Sequence, residues 1–549
     1  MHGKKGFLRN TAVMFAAMII SKGLGAVLKI PLGNILGGEG MGYFTTAYSI
    51  FTPVLSFACA GIPTLLTRTV ASGTASGEYG GIFRARRCSL LLALIIGLIG
   101  AAFIYITAVP FVCYIVNSPD SLAGVLMIAP AAVFCSVTAV YRGYYEGLSD
   151  TLPTAVSQVT EAFVKALLGV GLSYFVYVNG VRLFGSQQAA LPYSAAAAIT
   201  GVTLSELCGM IYMLIRSRRR SDSFKEYAVK MTASEAFDTC RDIFMKALPL
   251  SLGAAASNLL SLADMFTISN CIDLSANLFG EQWQNDPLLS SCLEASSDAG
   301  SFMYGCYAGI IMSVYMLAGA LSGVVARCMY PRLAYAAEKG GKASAEREIR
   351  LLIKGTAVLT APVTAFMAVL SGPILDILYP VRGTEAQICA VPLAVLSAGG
   401  IFSALLGAVC VIFNAYGDFT YPIKLTLAGS ALKLIMNVVF ITIPDVNITG
   451  ASLSAVLTGF ICLIFAVRAA EKKLGAVTSC IRYSLPSVFS AAGSATAVYL
   501  FYQGLCPGIG VFAAFFVSVA LGGIMYALML FISDSADCTA VIRSLRHKS

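Results

Sequence analysis

The chain has 549 residues, of which 58% are hydrophobic and only 12% charged, with a mean hydropathy of +0.80. No soluble core accounts for that much apolar surface, and the repeated apolar runs of about 20 residues define an all-α, polytopic membrane protein. The formal net charge of +9 falls in alternate loops rather than on one face, so it orients the chain in a bilayer and does not indicate nucleic acid.

Thr11 to Ile35 is the first span, too long and without the small-residue site of a cleavable signal, and it carries Lys22 and Lys29. A lysine near mid-membrane costs at least about 2.5 kcal/mol, so it is kept where it faces a protein-lined, watered cavity. The two lysines are seven residues apart and share one helix face. The turn Gly37 to Gly42, GGEGMG, precedes a second span, about Tyr43 to Val70, with Arg68 near its inner end. The third and fourth spans run to about Val116 and Val140. A turn, Tyr141 to Ala155, opens the fifth, which contains Glu161 and Lys165 at the i, i+4 spacing of a same-helix ion pair. Glu206 lies in the sixth, which ends in RSRRRSDSFK.

The second half repeats the plan. The seventh span, about Phe244 to Ser269, holds Asp264, and an acidic loop from Asp273 to Asp298 follows. The eighth to twelfth end near Pro331, Tyr379, Phe413, Ile443 and Ala466, with Lys433 in the eleventh. The turn FNAYGDFTYPIK echoes the one at 141–155, and repeated halves around a site are a transporter habit. Two more spans, Tyr483 to Tyr502 and Val511 to Phe531, bring the expected count to fourteen, with domains at 1–220, 241–470 and 471–549 and a linker at 221–240. With Lys4, Lys5 and Arg9 inside, every strongly basic loop and the carboxyl tail fall on the cytoplasmic side.

Within the spans, Lys22, Lys29, Arg68, Lys165 and Lys433 outnumber Glu161, Glu206 and Asp264. A net-cationic cavity suits an anion, phosphate or pyrophosphate above all. Lys22, Lys29, Arg68, Asp264 and Lys433 are the candidate substrate-binding residues; Glu161, Lys165 and Glu206 are structural or coupling charges. The terminal positions of His2 and His547 remove histidine catalysis and histidine metal sites, so no enzyme activity, metal or cofactor is expected. Cys271 and Cys292 flank the acidic loop and could form a bridge.

The segments SKGLGAVLKIPLGNILG (Ser21 to Gly37), GIPTLLTRTVASG (Gly61 to Gly73), YRGYYEGLSDTLPTAVSQ (Tyr141 to Gln158) and SLADMFTIS (Ser261 to Ser269) resemble the SpoVB/YtgP-type polysaccharide biosynthesis proteins. These belong to the multidrug/oligosaccharidyl-lipid/polysaccharide exporter superfamily and are similar to the MurJ-type lipid II flippases. The resemblance implies two six-helix lobes in a V around a central cavity, with two added helices forming a groove for a lipid tail. It implies an alternating-access flippase, moving an undecaprenyl-pyrophosphate-linked saccharide to the outer leaflet of the bacterial cytoplasmic membrane. Lys22, Lys29 and Arg68 fall at or near the family's cavity arginines, and Asp264 where SpoVB-type proteins have an acid. Expected partners are that anionic lipid, membrane lipid and cell-wall synthesis enzymes, with the chain acting as a monomer. The alternative is a multidrug or cation antiporter of the MATE type, which would bury acidic groups where this chain has lysines.

Overall fold

A computed structural model describes residues 2–219, 232–296, 298–339, 342–475 and 477–533, and every regular element among them is helical. The backbone falls into two compact units, Met1–Asn270 with Ser296–Ile310, and Cys271–Ala295 with Ile311–Ser549. The seventh expected span thus goes with the first unit up to Asn270, whereas the sequence places the division at 221–240. Most of that linker, and the basic carboxyl tail, lie outside the described residues.

The first unit contains α1 (His2–Ser76), α2 (Tyr79–Pro110), α3 (Leu122–Ile128), α4 (Ala131–Gly147), α5 (Leu152–Val178), α6 (Gly180–Phe184) and α7 (Gln187–Arg219). Most of α8 (Ala233–Leu278) joins them, α9 (Gly280–Asn285) and α10 (Pro287–Ala295) fall in the second unit, and α11 (Ala299–Tyr304) returns to the first. α1 is two helices joined at Gly37, whose φ of 65° and ψ of −167° break the hydrogen-bond ladder. The GGEGMG stretch is therefore not a surface turn. Leu36 and Met41 are fully buried there, and α11 and the π-helical turn after it press on its glycines. A Cβ on Gly42 would sit 2.1 Å from the Ser301 carbonyl oxygen, and one on Gly305 would sit 1.9 Å from that of Gly38. The glycines are there for backbone contact between helices.

α2 shows how membrane immersion shapes the surface. Leu91, Leu98, Phe103 and Ile106 are exposed on one side, while Ala93, Gly97, Ala101 and Ile104 pack inward. An apolar outer stripe over a small-residue inner stripe is what a lipid-facing helix requires. At one end of the unit Ile62, Leu66, Val70, Tyr144, Met213 and Ala247 form a core where α1, α4, α7 and α8 meet. There Arg86 donates to the Ser217 hydroxyl and lies over the Tyr144 ring, 4.5 Å from its centroid. This is the basic end of the unit.

The second unit continues with α12 (Met312–Lys339), α13 (Lys342–Val369), α14 (Ser371–Leu378), α15 (Gly383–Ala398), α16 (Gly400–Ala415), α17 (Thr420–Ile441) and α18 (Thr449–Leu474). It ends with α19 (Val477–Arg482), α20 (Leu485–Ile509) and α21 (Val511–Ser533). Leu333, Ile353, Leu405, Ile412, Ala466 and Tyr526 belong to one core, and the Tyr526 hydroxyl donates to the Val358 carbonyl at 3.0 Å. The α20–α21 hairpin is thereby fixed to α13. Its outer face, with Phe512, Phe516, Ile524 and Leu528, is exposed and apolar.

Among the described residues, eleven helices are long and apolar enough to cross a membrane, or twelve if α15 and α16, bent by 43° at Gly399, count as one span. The first of the eleven has 52 residues, more than twice the ~20 needed, because both arms of α1 are counted together. The acidic loop is largely helical, and Trp283 is fully buried within it, donating to the Ser275 hydroxyl at 3.2 Å. Cys271 is a buried free thiol and not half of a bridge to Cys292, whose side chain lies outside the described residues.

The two echoing turns have the same backbone. Leu148, Ser149 and Asp150 donate to the carbonyls of Tyr144, Glu146 and Tyr145; Tyr416, Gly417 and Asp418 donate to those of Ile412, Asn414 and Phe413. Ser149 (φ 58°) and Gly417 (φ 78°) take the left-handed conformation at the same step. The repeat thus aligns Asp150 with Asp418, one residue off the register in which Pro153 would meet Pro422.

Asp418 lies outside the spans. The Lys473 ammonium, 2.7 Å away, and the Tyr421 N–H at 3.1 Å hold its carboxyl below the usual carboxylate range. A carboxyl depressed on folding contributes stability that is present above its unfolded value, about 3.9, and is lost as pH falls through the lower folded one. Asp418→Asn should therefore lower the thermal midpoint at pH 7, and the difference from wild type should shrink as pH falls through the acid range and the carboxyl is protonated in the folded state. A difference that does not shrink on acidification would show that the ion pair is not its cause.

Candidate functional site

The fourth expected span stops at Val140, but α4 continues to Gly147 because Tyr141, Tyr144 and Tyr145 remain buried. Arg142, two residues beyond the expected end, therefore lies in the helix and not in a turn. Its Nη2 meets Glu161 Oε1 at 2.5 Å and its Nε donates to the Ser157 hydroxyl at 2.9 Å, both on α5. Lys165, one turn further along α5, pairs instead with Glu206 on α7 at 3.2 Å and lies within hydrogen-bonding reach of the Tyr48 phenol. The expected i, i+4 pair of Glu161 with Lys165 is thus replaced by two pairs between helices. A pair on the surface of one helix satisfies only that helix, whereas cross-helix pairs tie α4, α5 and α7 together in a medium with no competing water.

Two cavities meet at Glu161. One, about 380 Å³, is lined by Thr64, Thr67, Arg142, Glu146, Glu161 and Glu206 together with apolar groups from α1 and α4. The other, about 220 Å³, lies between Ser21, Gly25 and Leu28 of α1 and Gln158, Glu161 and Lys165 of α5. The side chain of Glu161 is 9% exposed and that of Glu206 is 12% exposed. Within this unit, then, the larger intramembrane cavity holds three carboxylates and one guanidinium. Neither Lys29 nor Arg68 of α1 is among its described lining residues.

The expected substrate-binding residues are arranged differently. The helix is continuous from Lys22 to Lys29, which keeps them on one face, though the side chain of Lys22 lies outside the described residues. Lys29 is half-buried and is not among the described lining residues of the α5 cavity. Among the described residues it has no acidic partner, in contrast to Arg142 and Lys165. Arg68 is exposed near the basic end. Asp264 is half-buried on α8, near enough to the Tyr304 phenol to act on it electrostatically. Lys433 belongs to the second unit. Its place in the repeat is informative: Lys165 and Lys433 each stand thirteen residues after the first residue of their helices, Leu152 and Thr420. The two lysines occupy equivalent positions of the repeat. In the second unit, a cavity of about 220 Å³ between α12, α13 and α16 is lined by Tyr315, Ser322, Thr360, Thr364 and Ser403, with no charged side chain among its described lining.

Sequence reasoning missed Arg142, which counts as a loop cation when the span is stopped at Val140. The signal available was the run of tyrosines after it, at the spacing of a buried helix face. No group of three or more metal-ligating side chains is assembled among the described residues.

Helices of this length and apolarity define a multi-pass membrane protein. The model of the polysaccharide biosynthesis protein family matches residues 7–337, more than half of the sequence, and the chain belongs to that family. Relatives in Bacillus subtilis (strain 168) include the uncharacterized membrane protein YabM, 22% identical over 80% of this chain and 76% of the relative. Stage V sporulation protein B is 19% identical over 83% and 82%, and lipid II flippase MurJ 21% identical over 83% and 81%. Among solved structures, an inward-facing multidrug resistance MATE family transporter of the MOP superfamily matches with a TM-score of 0.67 at 13% identity, covering 85% of this chain and 99% of that one. Lipid II flippase MurJ in an inward closed conformation matches with a TM-score of 0.63 at 13% identity, covering 95% and 98%. The fold is therefore that shared by MATE transporters and MurJ.

Proposed function

We propose that this protein moves an undecaprenyl-pyrophosphate-linked saccharide from the inner to the outer leaflet of the bacterial cytoplasmic membrane by alternating access. The observation that carries the reading is the asymmetry of ion pairing. Arg142 and Lys165 are each neutralised by a glutamate, whereas Lys29 on α1 is half-buried with no acidic partner among the described residues. An ammonium kept in that state is stabilised by an anion that comes and goes. Pyrophosphate offers charge-assisted acceptors to Lys22, Lys29 and Arg68, with Asp264 and Lys433 as the further charges of the path. The basic end of each half faces the cytoplasm, and the exposed apolar face of α20 and α21 accompanies the lipid tail. An inside-negative potential favours outward movement of the anion by about 2.3 kcal/mol per charge per 100 mV, so no counter-ion is required. The family membership and the likeness to MurJ support the same reading.

The test is complementation of a bacterium depleted of its own lipid II flippase, with extraction of undecaprenyl-linked precursors. The wild-type chain is expected to restore growth and clear the accumulated precursor. Lys29→Ala, Lys22→Ala and Arg68→Ala should each lose most of that activity while still reaching the membrane, and Lys22→Arg should be tolerated better than Lys22→Glu. Wild-type growth from all three alanine variants would defeat the assignment.

A second reading, a cation-coupled antiporter, is favoured by one observation: Glu146, Glu161 and Glu206 around a single arginine in the first unit's larger intramembrane cavity. Under that reading Glu161→Gln should abolish efflux of a lipophilic cation and Lys29→Ala should not. The flippase reading expects no such efflux from the wild type.

A further inference from the structure

At the end of the first unit opposite Arg86 and Ser217 lies a cavity of about 610 Å³, within the range of small-molecule sites, which no step above uses. α2 leads from Arg86 to this end and α7 leads from it to Ser217, so under the orientation proposed above it opens to the outer surface. One wall is aromatic. Phe184 and Tyr193 stack in parallel, with ring centroids 4.4 Å apart and planes 7° apart, and Tyr193 is half exposed. The facing wall brings Glu39 and Asp120 to one phenol: the Tyr43 hydroxyl is 2.8 Å from Glu39 Oε1 and 3.4 Å from Asp120 Oδ2. That hydroxyl has one proton, and the shorter contact to Glu39 takes it. Asp120, exposed at the rim, keeps its acceptor oxygens for something else. No lysine, arginine or histidine is among the cavity's described lining residues.

The geometry points to a site for an organic ammonium group on the outer face of the first unit, held between the carboxylate of Asp120 and the aromatic wall of Phe184 and Tyr193. The sign of the cavity decides the class of ligand. Two carboxylates with no cation among the described lining residues disfavour a phosphate, and a neutral sugar would bring hydroxyls but no charge to offset their desolvation. A protonated amine on an apolar body meets both walls, by a charge-assisted hydrogen bond to Asp120 and by cation–π attraction to the rings. The ammonium could come from a lipid headgroup or from a group carried on the transported molecule; both offer the same chemistry. This inference does not depend on the flippase reading, because the site lies apart from Lys29 and from the cavities at Glu161.

The test is equilibrium binding to the purified full-length protein in nanodiscs of phosphatidylglycerol, with benzylammonium as the probe. Saturable binding is expected. It should weaken on the order of tenfold in Asp120→Asn and in Tyr193→Ala, and weaken with added salt. Both residues are exposed, so the variants should elute as wild type on size exclusion. Repeating the titration in discs containing phosphatidylethanolamine identifies the source: a weakened probe means that the lipid amine occupies the site, and an unchanged one points to the transported molecule. No saturable binding would overturn the inference. So would binding of benzyl alcohol or of N,N′-diacetylchitobiose as tight as that of the ammonium, or binding unchanged in both variants.

Discussion

Arg142→Ala should destabilise the protein by about 3 kcal/mol. The guanidinium is 21% exposed and the Glu161 carboxylate facing it 9% exposed, so its removal leaves a carboxylate in the membrane interior with no counter-charge within hydrogen-bonding reach. Glu206 and Glu146 line the same cavity and raise the cost further. Water entering the vacated space lowers that cost, because Thr64, Thr67 and Glu146 in the lining give it partners. The control is the double variant Arg142→Met, Glu161→Met. Replacing both partners by apolar groups of similar volume removes the desolvation term along with the attraction, so its stability should lie within about 1 kcal/mol of wild type or above it. The measurement is thermal unfolding in a defined detergent, read by loss of monodisperse protein on size exclusion. If the single and double variants lose equal stability, the pair has no energetic role and the contact is incidental. Transport separates structure from coupling. A stable double variant that still complements makes the pair a brace between α4 and α5. One that is stable and inactive makes Glu161 part of the transport cycle.

What the sequence made legible and what it hid divide along the line between local and tertiary information. The apolar runs of about 20 residues, the basic loops and the lysines at Lys22 and Lys29 are local features, and they suffice for a helical membrane protein of the right family. The partner of a charge is not local. Glu161 and Lys165 satisfy the i, i+4 rule on paper, yet each faces a different neighbouring helix; Glu206, at similar depth in the next span, is legible as a member of the group, but nothing in the spacing says that Arg142 will be there. The glycines of GGEGMG read as a turn because glycine is common in turns; in the fold they admit the backbone of Ser301 to Gly305, some 260 residues away in sequence. The acidic loop reads as solvated because its charges are visible, while the buried Trp283 that organises it is a single residue in a polar stretch. The repeat was recognised by its aspartates and prolines, but only the hydrogen bonds fix its register and show that Lys433 answers to Lys165.

Gly201→Ala should cost about 1–3 kcal/mol, and Gly209→Ala a similar amount by a different route. The seam between α5 and α7 allows no methyl group at either position. A Cβ on Gly201 would lie 2.4 Å from the Gly169 nitrogen and 2.5 Å from its Cα, so the two backbones would have to part. A Cβ on Gly209 would instead meet Glu161 Oε1 at 1.9 Å, and the carboxylate would have to leave its place against Arg142. Backbone cannot yield locally but a side chain can, and that difference is measurable. With Glu161 already replaced by alanine, the added cost of Gly209→Ala should fall to near zero, because the group it displaces is gone; the cost of Gly201→Ala should be unchanged. Gly171, on α5 with nothing within 4 Å of a Cβ, is the internal reference: Gly171→Ala should be neutral or stabilising by up to about 1 kcal/mol through helix propensity alone. If Gly209→Ala remains as costly without Glu161 as with it, the glycine is needed for helix spacing, and the link between the α5–α7 seam and the charged cavity is lost. If the coupling is as large as the geometry requires, a single methyl group 8 residues from Gly201 controls whether Glu161 can hold Arg142.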